Sequence, residues 1–328
     1  MSAPSESVIY VLDFNVGNET DDPNNPWTSG RIAVGTPSSN TLKTLKSHEL
    51  RPDGIEVLLH EGQNDGRIFW TQMGGPEKND GTVQSSALDG DDVKDIFSRG
   101  EIHTPKQLAI DEKNGKLYVC DREGLRVHRS NLDGTQKEVL IQTGTWTNDE
   151  HVSDAARWCV GICVDAENGL FYWTQKGPSK GGKGKILRAN IKTPKGATAS
   201  TRNDIEVLFE DLPEPIDLQL SVSTQQLYWT DRGDFSKGNK LNRASVAGSL
   251  GRIQERGYEI LARHLHEAIG LQVDEKNRHV YVSDLGGDVY RYDLDGKGVE
   301  KFFEGQGVFT GIAVADLGRE ERARLYGL

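Results

Sequence analysis

The sequence predicts an all-β fold, a six-bladed β-propeller with four-stranded antiparallel blades. Three observations predict it: one short strand recurs six times, each copy has the same strand–turn–strand surroundings, and the two ends of the chain carry complementary pieces of one blade.

The recurring strand is Tyr10-Val11-Leu12-Asp13, Phe69-Trp70-Thr71-Gln72, Tyr118-Val119-Cys120-Asp121, Tyr172-Trp173-Thr174-Gln175, Tyr228-Trp229-Thr230-Asp231 and Tyr281-Val282-Ser283-Asp284. Counted from Val11 through Trp70, Val119, Trp173, Trp229 and Val282, the spacings are 59, 49, 54, 56 and 53 residues. That is the length of a four-stranded blade with elaborated loops. Before most copies comes an apolar alternating run and a polar turn, as in Gln107 to Asp111 followed by Glu112 to Lys116, which reads as a tight hairpin. After them comes a third strand, such as Ile186 to Asn190 or Val289 to Leu294. A Leu-Asp-Gly turn often follows, at 88–90, 132–134 and 294–296, and leads to a fourth strand such as Glu138 to Leu140 or Ile205 to Phe209.

The first copy has no inner strand before it, while Thr310 to Val314 reads as an inner strand with no hairpin partner after it. Pairing the N-terminal strand with the C-terminal one completes the sixth blade and removes an open sheet edge. Residues 1–328 are therefore expected to form a single propeller domain.

The tetrads, the Ile-x-Arg third strands and the Leu-Asp-Gly turns resemble the YWTD six-bladed β-propellers first described in lipoprotein receptors, and the chain is similar in general character to the intracellular microbial branch of that family. The resemblance spans nearly the whole chain. It implies the fold and leaves function open, because one propeller scaffold serves receptors, lyases, hydrolases and isomerases. It also implies that the recurring acid, Asp13, Asp121, Asp231 and Asp284 with Gln72 and Gln175 as variants, hydrogen-bonds a neighbouring blade. Arg129, Arg188, Arg243 and Arg291 on the third strands read as similar framework residues, with Ser85 the departure.

Formal charge is 39 minus 50, or −11, which argues against nucleic acid or an anionic membrane as the main partner. No apolar run approaches the roughly 18 residues of a membrane helix. Met1 to Ser7 lacks the basic and apolar regions of a secretory signal, so a cytoplasmic location is expected unless a leader has been removed. Cys120, Cys159 and Cys163 read as small core residues, and Asn18-Glu19-Thr20 as a chance glycosylation sequon.

One face should carry the function. Hairpins at 111–116, 165–169, 223–226 and 274–278 are short polar turns, whereas 14–30, 73–81, 142–158, 176–185, 232–240 and 262–268 are long and emerge on the opposite face. The excursions 192–204 and 247–257, on the hairpin face, read as tolerated insertions. Trp70, Trp173 and Trp229 occupy repeat positions. Trp27, Trp146 and Trp158 lie in loops of the candidate face, where they either pin their own loops or wall a ligand.

Segments delivering each inner strand to the central channel supply the polar candidates: Arg51 to Asp53, His103 to Gln107, His151 to Trp158, Pro213 to Asp217, His264 to Glu267, and Phe309-Thr310. Four of the eight histidines fall there. His264 and His266 flank one leucine, so on an extended segment both face one way with Glu267 beside them, as an acid/base set, part of a metal site or a solvated polar loop. The proton-transfer candidates are His266, His264, Glu267, His103, Arg157 and Glu214. Those for substrate binding are Trp27, Trp146, Trp158, His151, Lys176, Arg51, Asp53, Phe309 and Thr310.

No H-E-x-x-H or C-x-x-C spacing is present, so no metal site is expected. Gly177 to Lys183 fits G-x-x-x-x-G-K, but Gly184 stands where a Ser or Thr belongs and the loop joins two antiparallel strands; it reads as a Gly-Lys hairpin or a lid for an anionic or phenolate group. Asp231 to Lys240 has too few oxygen ligands for a calcium loop. The absence of a dinucleotide fingerprint argues against a dehydrogenase, and no cofactor is expected.

Two function classes follow. One is a redox-cofactor-free lyase, cyclase or isomerase of natural-product metabolism, its pocket at the loop-bearing mouth of the channel, acting on a hydrophobic or aromatic small molecule. The resemblance extends this to dehydration with hetero-Diels–Alder closure, and to metal-dependent lactonase-like hydrolysis as an alternative. The other is a protein-binding propeller scaffold. A closed pocket walled by the loop tryptophans favours the enzyme, and a flat aromatic patch favours the scaffold. Oligomeric state is left open.

Overall fold

The computed structural model describes residues 6–14, 26–60, 65–233 and 238–328. The sequon at Asn18 and the middle of the 232–240 loop lie outside them. Blade one holds β1 (Glu6–Asp13), β2 (Gly30–Gly35) and β3 (Lys43–Glu49); blade two holds β4 (Pro52–Leu59), β5 (Gly66–Gln72), β6 (Gly81–Ala87) and β7 (Lys94–Ile102). Blade three runs β8 (Pro105–Asp111), β9 (Lys116–Asp121), β10 (Arg126–Asn131) and β11 (Glu138–Gln142). In blade four are β12 (Cys159–Asp165), β13 (Leu170–Gln175), β14 (Gly184–Asn190) and β15 (Glu206–Leu212). Blade five has β16 (Pro215–Ser221), β17 (Gln226–Asp231), β18 (Lys240–Ser245) and β19 (Glu259–Arg263), and blade six β20 (Ala268–Asp274), β21 (His279–Asp284), β22 (Val289–Asp293) and β23 (Glu300–Phe302). β24 (Phe309–Leu317) returns to blade one and pairs antiparallel with β1 from Glu6↔Leu317 to Asp13↔Phe309, the predicted closure.

Each tetrad has a division of labour. Its aromatic residues fill the cores between blades, with Trp70, Trp173 and Trp229 essentially buried. Its third residue stitches one blade to the next. Thr71 Oγ1 donates to Lys106 O at 2.8 Å, Thr174 to Ile216 O at 2.9 Å, Thr230 to Ile269 O at 2.7 Å and Ser283 to Thr310 O at 2.7 Å. Cys120 Sγ does the same to Gly161 O at 3.2 Å. Leu12 cannot donate, and at that junction Thr310 Oγ1 of β24 reaches Pro52 O instead, at 2.9 Å. Inner strands approach so closely that a Cβ on Gly161 would lie 2.2 Å from Ile216 O.

The repeat acid does something other than what the family resemblance implies. Asp121 accepts from the backbone of His103 and Thr104, Asp231 from Glu214, Asp284 from His266 and Asp13 from Val308, and Gln72 accepts from Leu50. In these five blades the donor lies on the crossover feeding the blade that carries the acid or Gln72. The hydroxyl, not the carboxylate, bonds the neighbouring blade. The third-strand arginines are framework as expected, since Arg129, Arg188, Arg243 and Arg291 pair with Glu138, Glu206, Glu259 and Glu300 on the fourth strands.

Three of the four short hairpins are Asx turns, with Asp111, Asp165 and Asp274 accepting from Asn114, Asn168 and Asn277, and in the fourth the Ser221 and Thr224 hydroxyls bond each other. The two insertions are built into the fold. Arg202 of the first is buried against Asp204, Asn190 O and Leu140 O, and the second carries α2 (Leu250–Arg256), anchored by buried Ile253; α1 (Asp149–Ser153) lies in the 142–158 loop. Nothing in the repeat pattern announces α3 (Arg319–Tyr326), whose Tyr326 hydroxyl donates to Leu88 O at 2.8 Å and so accepts from Tyr10 at 2.6 Å. None of the described helices is long and apolar enough to cross a membrane.

Candidate functional site

The loop-bearing mouth is organised by one hydrogen bond repeated around the ring. The residue after each tetrad, namely Phe14, Met73, Arg122, Lys176, Arg232 and Leu285, donates its N–H to the residue just before the blade's inner strand, over 2.8–3.4 Å. These six side chains form a rim. Those of blades six, one and two are apolar, Leu285, Phe14 and Met73; those of blades three to five are basic, Arg122, Lys176 and Arg232.

Below the rim, the second residue of each inner strand forms a floor whose polar and apolar arcs run opposite to the rim in all but blades three and six. Thr310, Asp53 and Lys106 make a polar arc in blades one to three, and Val160, Ile216 and Ile269 an apolar arc in blades four to six, capped by Leu285. Both arcs touch across blade boundaries. Lys106 Nζ pairs with Asp53 and lies 3.3 Å from Met73 Sδ. Gln107 adds a 3.1 Å hydrogen bond to the other Asp53 oxygen. With Lys106 only 8 % exposed, burial pulls its ammonium pKa down to about 8, helped by Arg122 and opposed by Asp53.

The basic rim is closed by internal partners. Arg122 pairs with Glu123 at 2.5 Å, Lys176 with Glu214 at 2.5 Å and Arg232 with Glu267 at 3.1 Å. Arg122 and Lys176 also lie 5.0 and 5.5 Å from the centroid of the Trp158 ring. Glu214 is 1 % exposed and accepts further bonds from Ser179 and the Lys180 backbone, so the Gly-Lys hairpin is tied to it.

Of the residues singled out in the sequence, Arg51, Asp53, Trp27, Lys176, Glu214, Glu267, Trp158 and Thr310 converge on this mouth. Others do not. Phe309 is fully buried among Ile9, Val11 and Ile312, because the first residue of an inner strand points into the blade and the second towards the axis. His264 and Glu267 adopt left-handed φ of 67° and 57°, so the segment is not extended. The expected His264–His266–Glu267 set is thereby split: Glu267 meets Arg232, while His266 turns to Asp284 and Asp288. His151 accepts from Thr145 N, Arg157 holds Asp154 and Thr143 O, and the Trp158 indole donates to Val152 O at 2.7 Å. All three pin the 142–158 loop. His103 is buried, bonded to Thr104 and 5.6 Å from the Trp146 ring.

Several mouth residues were missed. Lys106 lies in a named segment but was not chosen, and Arg122, Arg232, Met73, Phe14 and Leu285 share a detectable signal, the position after the tetrad. A group able to hold a metal includes His266 but draws its partners from elsewhere than His264 and Glu267. Ligand atoms of His266, Asp284 and Asp288 lie within 4.8 Å of one another, on blade six. Opposite the repeat acid other blades place Arg31, Arg126 and Lys240; here Asp288 faces Asp284, and Lys301 at 2.7 Å pairs with Asp288. Burial holds Asp284 above the usual carboxylate range, and Asp288 adds to it.

The described residues also line cavities away from the mouth. One of about 540 Å³ is lined by Tyr228, Arg243, Tyr258 and Arg278, and one of about 560 Å³ lies beside the far ends of β4 and β24.

No family model matches the chain. It is 42 % identical over 320 residues to a "3-hydroxyacyl-CoA dehydrogenase-like protein LAM1" of Cochliobolus heterostrophus, covering 94 % of this chain and 64 % of that protein. To a "Low-density lipoprotein receptor-related protein 1" of Pyricularia oryzae it is 40 % identical, covering 96 % of this chain and the whole of the relative. Human low-density lipoprotein receptor-related protein 5 is 29 % identical over 290 residues, which are 15 % of its length. Among solved structures, the nidogen/laminin complex contains a chain matching with TM-score 0.67 and 18 % identity, over 94 % of this chain and 98 % of that one, which speaks to fold alone. With its tetrads, its six closed blades and a full-length relative of that name, the chain belongs to the lipoprotein-receptor-related family of YWTD six-bladed β-propellers.

Proposed function

We propose that the protein is a small-molecule enzyme working without a redox cofactor, a lyase, cyclase or isomerase of natural-product metabolism acting at the loop-bearing mouth. The observation that carries this reading is Lys106, a buried amine on the floor of the mouth whose pKa near 8 lets it exchange a proton near neutrality. As the free amine it accepts a proton from the substrate, and as the ammonium it returns one. Asp53 and Gln107 fix its position. Dehydration followed by hetero-Diels–Alder closure is the finer form of the reading. The relative named as dehydrogenase-like supports an enzymatic role, although this chain has no G-x-G-x-x-G stretch and spans only part of that protein. A cytoplasmic setting suits three buried, unbridged cysteines.

The test is complementation of a strain lacking the protein with wild type or Lys106→Met, followed by metabolite profiling. Wild type should restore a missing product and Lys106→Met should not, with conversion down by about 10²–10⁴. Full restoration by Lys106→Met would refute the reading.

A protein-binding scaffold is the second reading, favoured by Trp27 and Trp146, which stand 41 % and 38 % exposed on the same face. Metal-dependent hydrolysis draws less support, because His266, Asp284 and Asp288 lie off the inner strands that face the axis.

A further inference from the structure

The charges of the mouth do not close. Among the described residues five cations line it, and four have a carboxylate within ion-pair distance: Lys106 with Asp53, Arg122 with Glu123, Lys176 with Glu214, Arg232 with Glu267. Arg51 is the fifth. Among the described residues it has no carboxylate in contact; its Nη1 donates to Gly74 O at 3.2 Å and its Nε is buried with no partner. An N–H that loses water without gaining an acceptor, as this Nε–H does, is costly.

Arg51 is nonetheless held in place. Its guanidinium lies 5.3 Å from the Trp27 ring centroid and 5.9 Å from that of Phe14. Its backbone N–H bonds Trp27 O and Glu49 O, its carbonyl accepts from Met73, and its φ of 56° is left-handed. Aromatic rings orient the group and leave hydrogen-bonding positions unused. Burial and the nearby Arg122 push its pKa down, against the pull of Glu123, Asp53 and Asp80, so the site disfavours the charge it holds. The neighbouring rim is the apolar arc, Leu285, Phe14 and Met73, and Met73 also touches Lys106.

We infer that the mouth takes a hydrophobic carboxylate, its carboxylate oxygens paired with the guanidinium of Arg51 and its apolar body lying along Phe14, Trp27 and Met73 towards Lys106. This rests on the reading of the mouth as a small-molecule site and adds the substrate's charge and orientation. The guanidinium fork matches a carboxylate in two parallel hydrogen bonds, which a neutral amide cannot reproduce.

The test is binding, independent of turnover. 4-Phenylbutyrate and its neutral amide are titrated into wild-type protein, Arg51→Gln and Arg51→Lys, with ligand-observed NMR and tryptophan fluorescence as readouts and circular dichroism as the check on folding. Wild type should prefer the acid by about tenfold or more. Arg51→Gln should bind acid and amide alike, and Arg51→Lys, which keeps charge without the fork, should retain part of the preference. Equal binding of acid and amide by wild type, no binding of either, or a preference unchanged in Arg51→Gln would overturn the inference. The two claims fail separately. A lost acid preference leaves the effect of Lys106→Met on metabolites intact, and a Lys106→Met protein that complements leaves carboxylate binding through Arg51 intact.

Discussion

The two halves of the mouth are built from equivalent positions of the same repeat and behave oppositely. In blades three to five the rim position carries Arg122, Lys176 and Arg232, and each charge is answered by a glutamate of this chain. In blades six, one and two it carries Leu285, Phe14 and Met73, and the cation beside them, Arg51, is answered by aromatic rings and a carbonyl. In the paired arc the rim charges are engaged in holding the loops together. An unsatisfied arc has capacity left for a guest.

Mutations can break or sharpen that contrast. The largest effect belongs to Lys106, which sits beneath the boundary of the two halves: Lys106→Met should lower turnover by about 10²–10⁴. Its proton should also show in stability. Folded pKa is about 8 against 10.5 for the free side chain, so between these values the unfolded chain binds more protons than the folded one. Stability attributable to Lys106, read as wild type minus Lys106→Met in denaturant melts, should therefore rise with pH across that window, by up to about 1.4 kcal/mol per pH unit. A flat difference would place its pKa elsewhere.

Next comes Glu214→Gln in the paired half. It strips the buried partner from Lys176 and should cost about 3–5 kcal/mol in urea denaturation. Arg51→Gln removes no ion pair, and its lost Gly74 bond and ring contacts are offset by relief of the unpartnered Nε, so its stability should stay within about 1 kcal/mol of wild type while carboxylate binding falls. Equal destabilisation by the two would erase the distinction between halves. The smallest and sharpest comparison is between tryptophans. Trp158→Leu should cost about 1–2 kcal/mol through its Val152 hydrogen bond and two cation contacts. Trp27→Leu, with 41 % of the residue in solvent and one cation contact, should cost less than about 1 kcal/mol and weaken 4-phenylbutyrate binding several-fold.

The fold was legible because its signals are local and repeated. Tetrads, Asx hairpins and Leu-Asp-Gly turns recur at nearly constant spacing, and β24 could be paired with β1 by counting alone. α3 escaped because it belongs to no repeat and is held by contacts as distant as Tyr326 with Leu88. The site was legible as a face but not as a set of partners. Long loops drew attention to Trp27, Arg51 and Glu214. Yet backbone direction decided which side chains met, and the left-handed φ of His264 and Glu267 cannot be read from those residue types. Histidines were overvalued for their chemistry: His151 and His103 are held in loop packing. Lys106 was undervalued, since a lysine in an acidic chain reads as surface until its burial is known.

The β1–β24 pairing also sets a timetable. Of the two partners β1 leaves the ribosome first, and it cannot find its mate until β24 emerges some three hundred residues later. At the roughly 5–20 residues per second of translation, that edge waits for tens of seconds, and a stalled or nicked nascent chain would present it to other copies. A chaperone that shields Val8 to Leu12 during synthesis would serve this protein more than one acting after release.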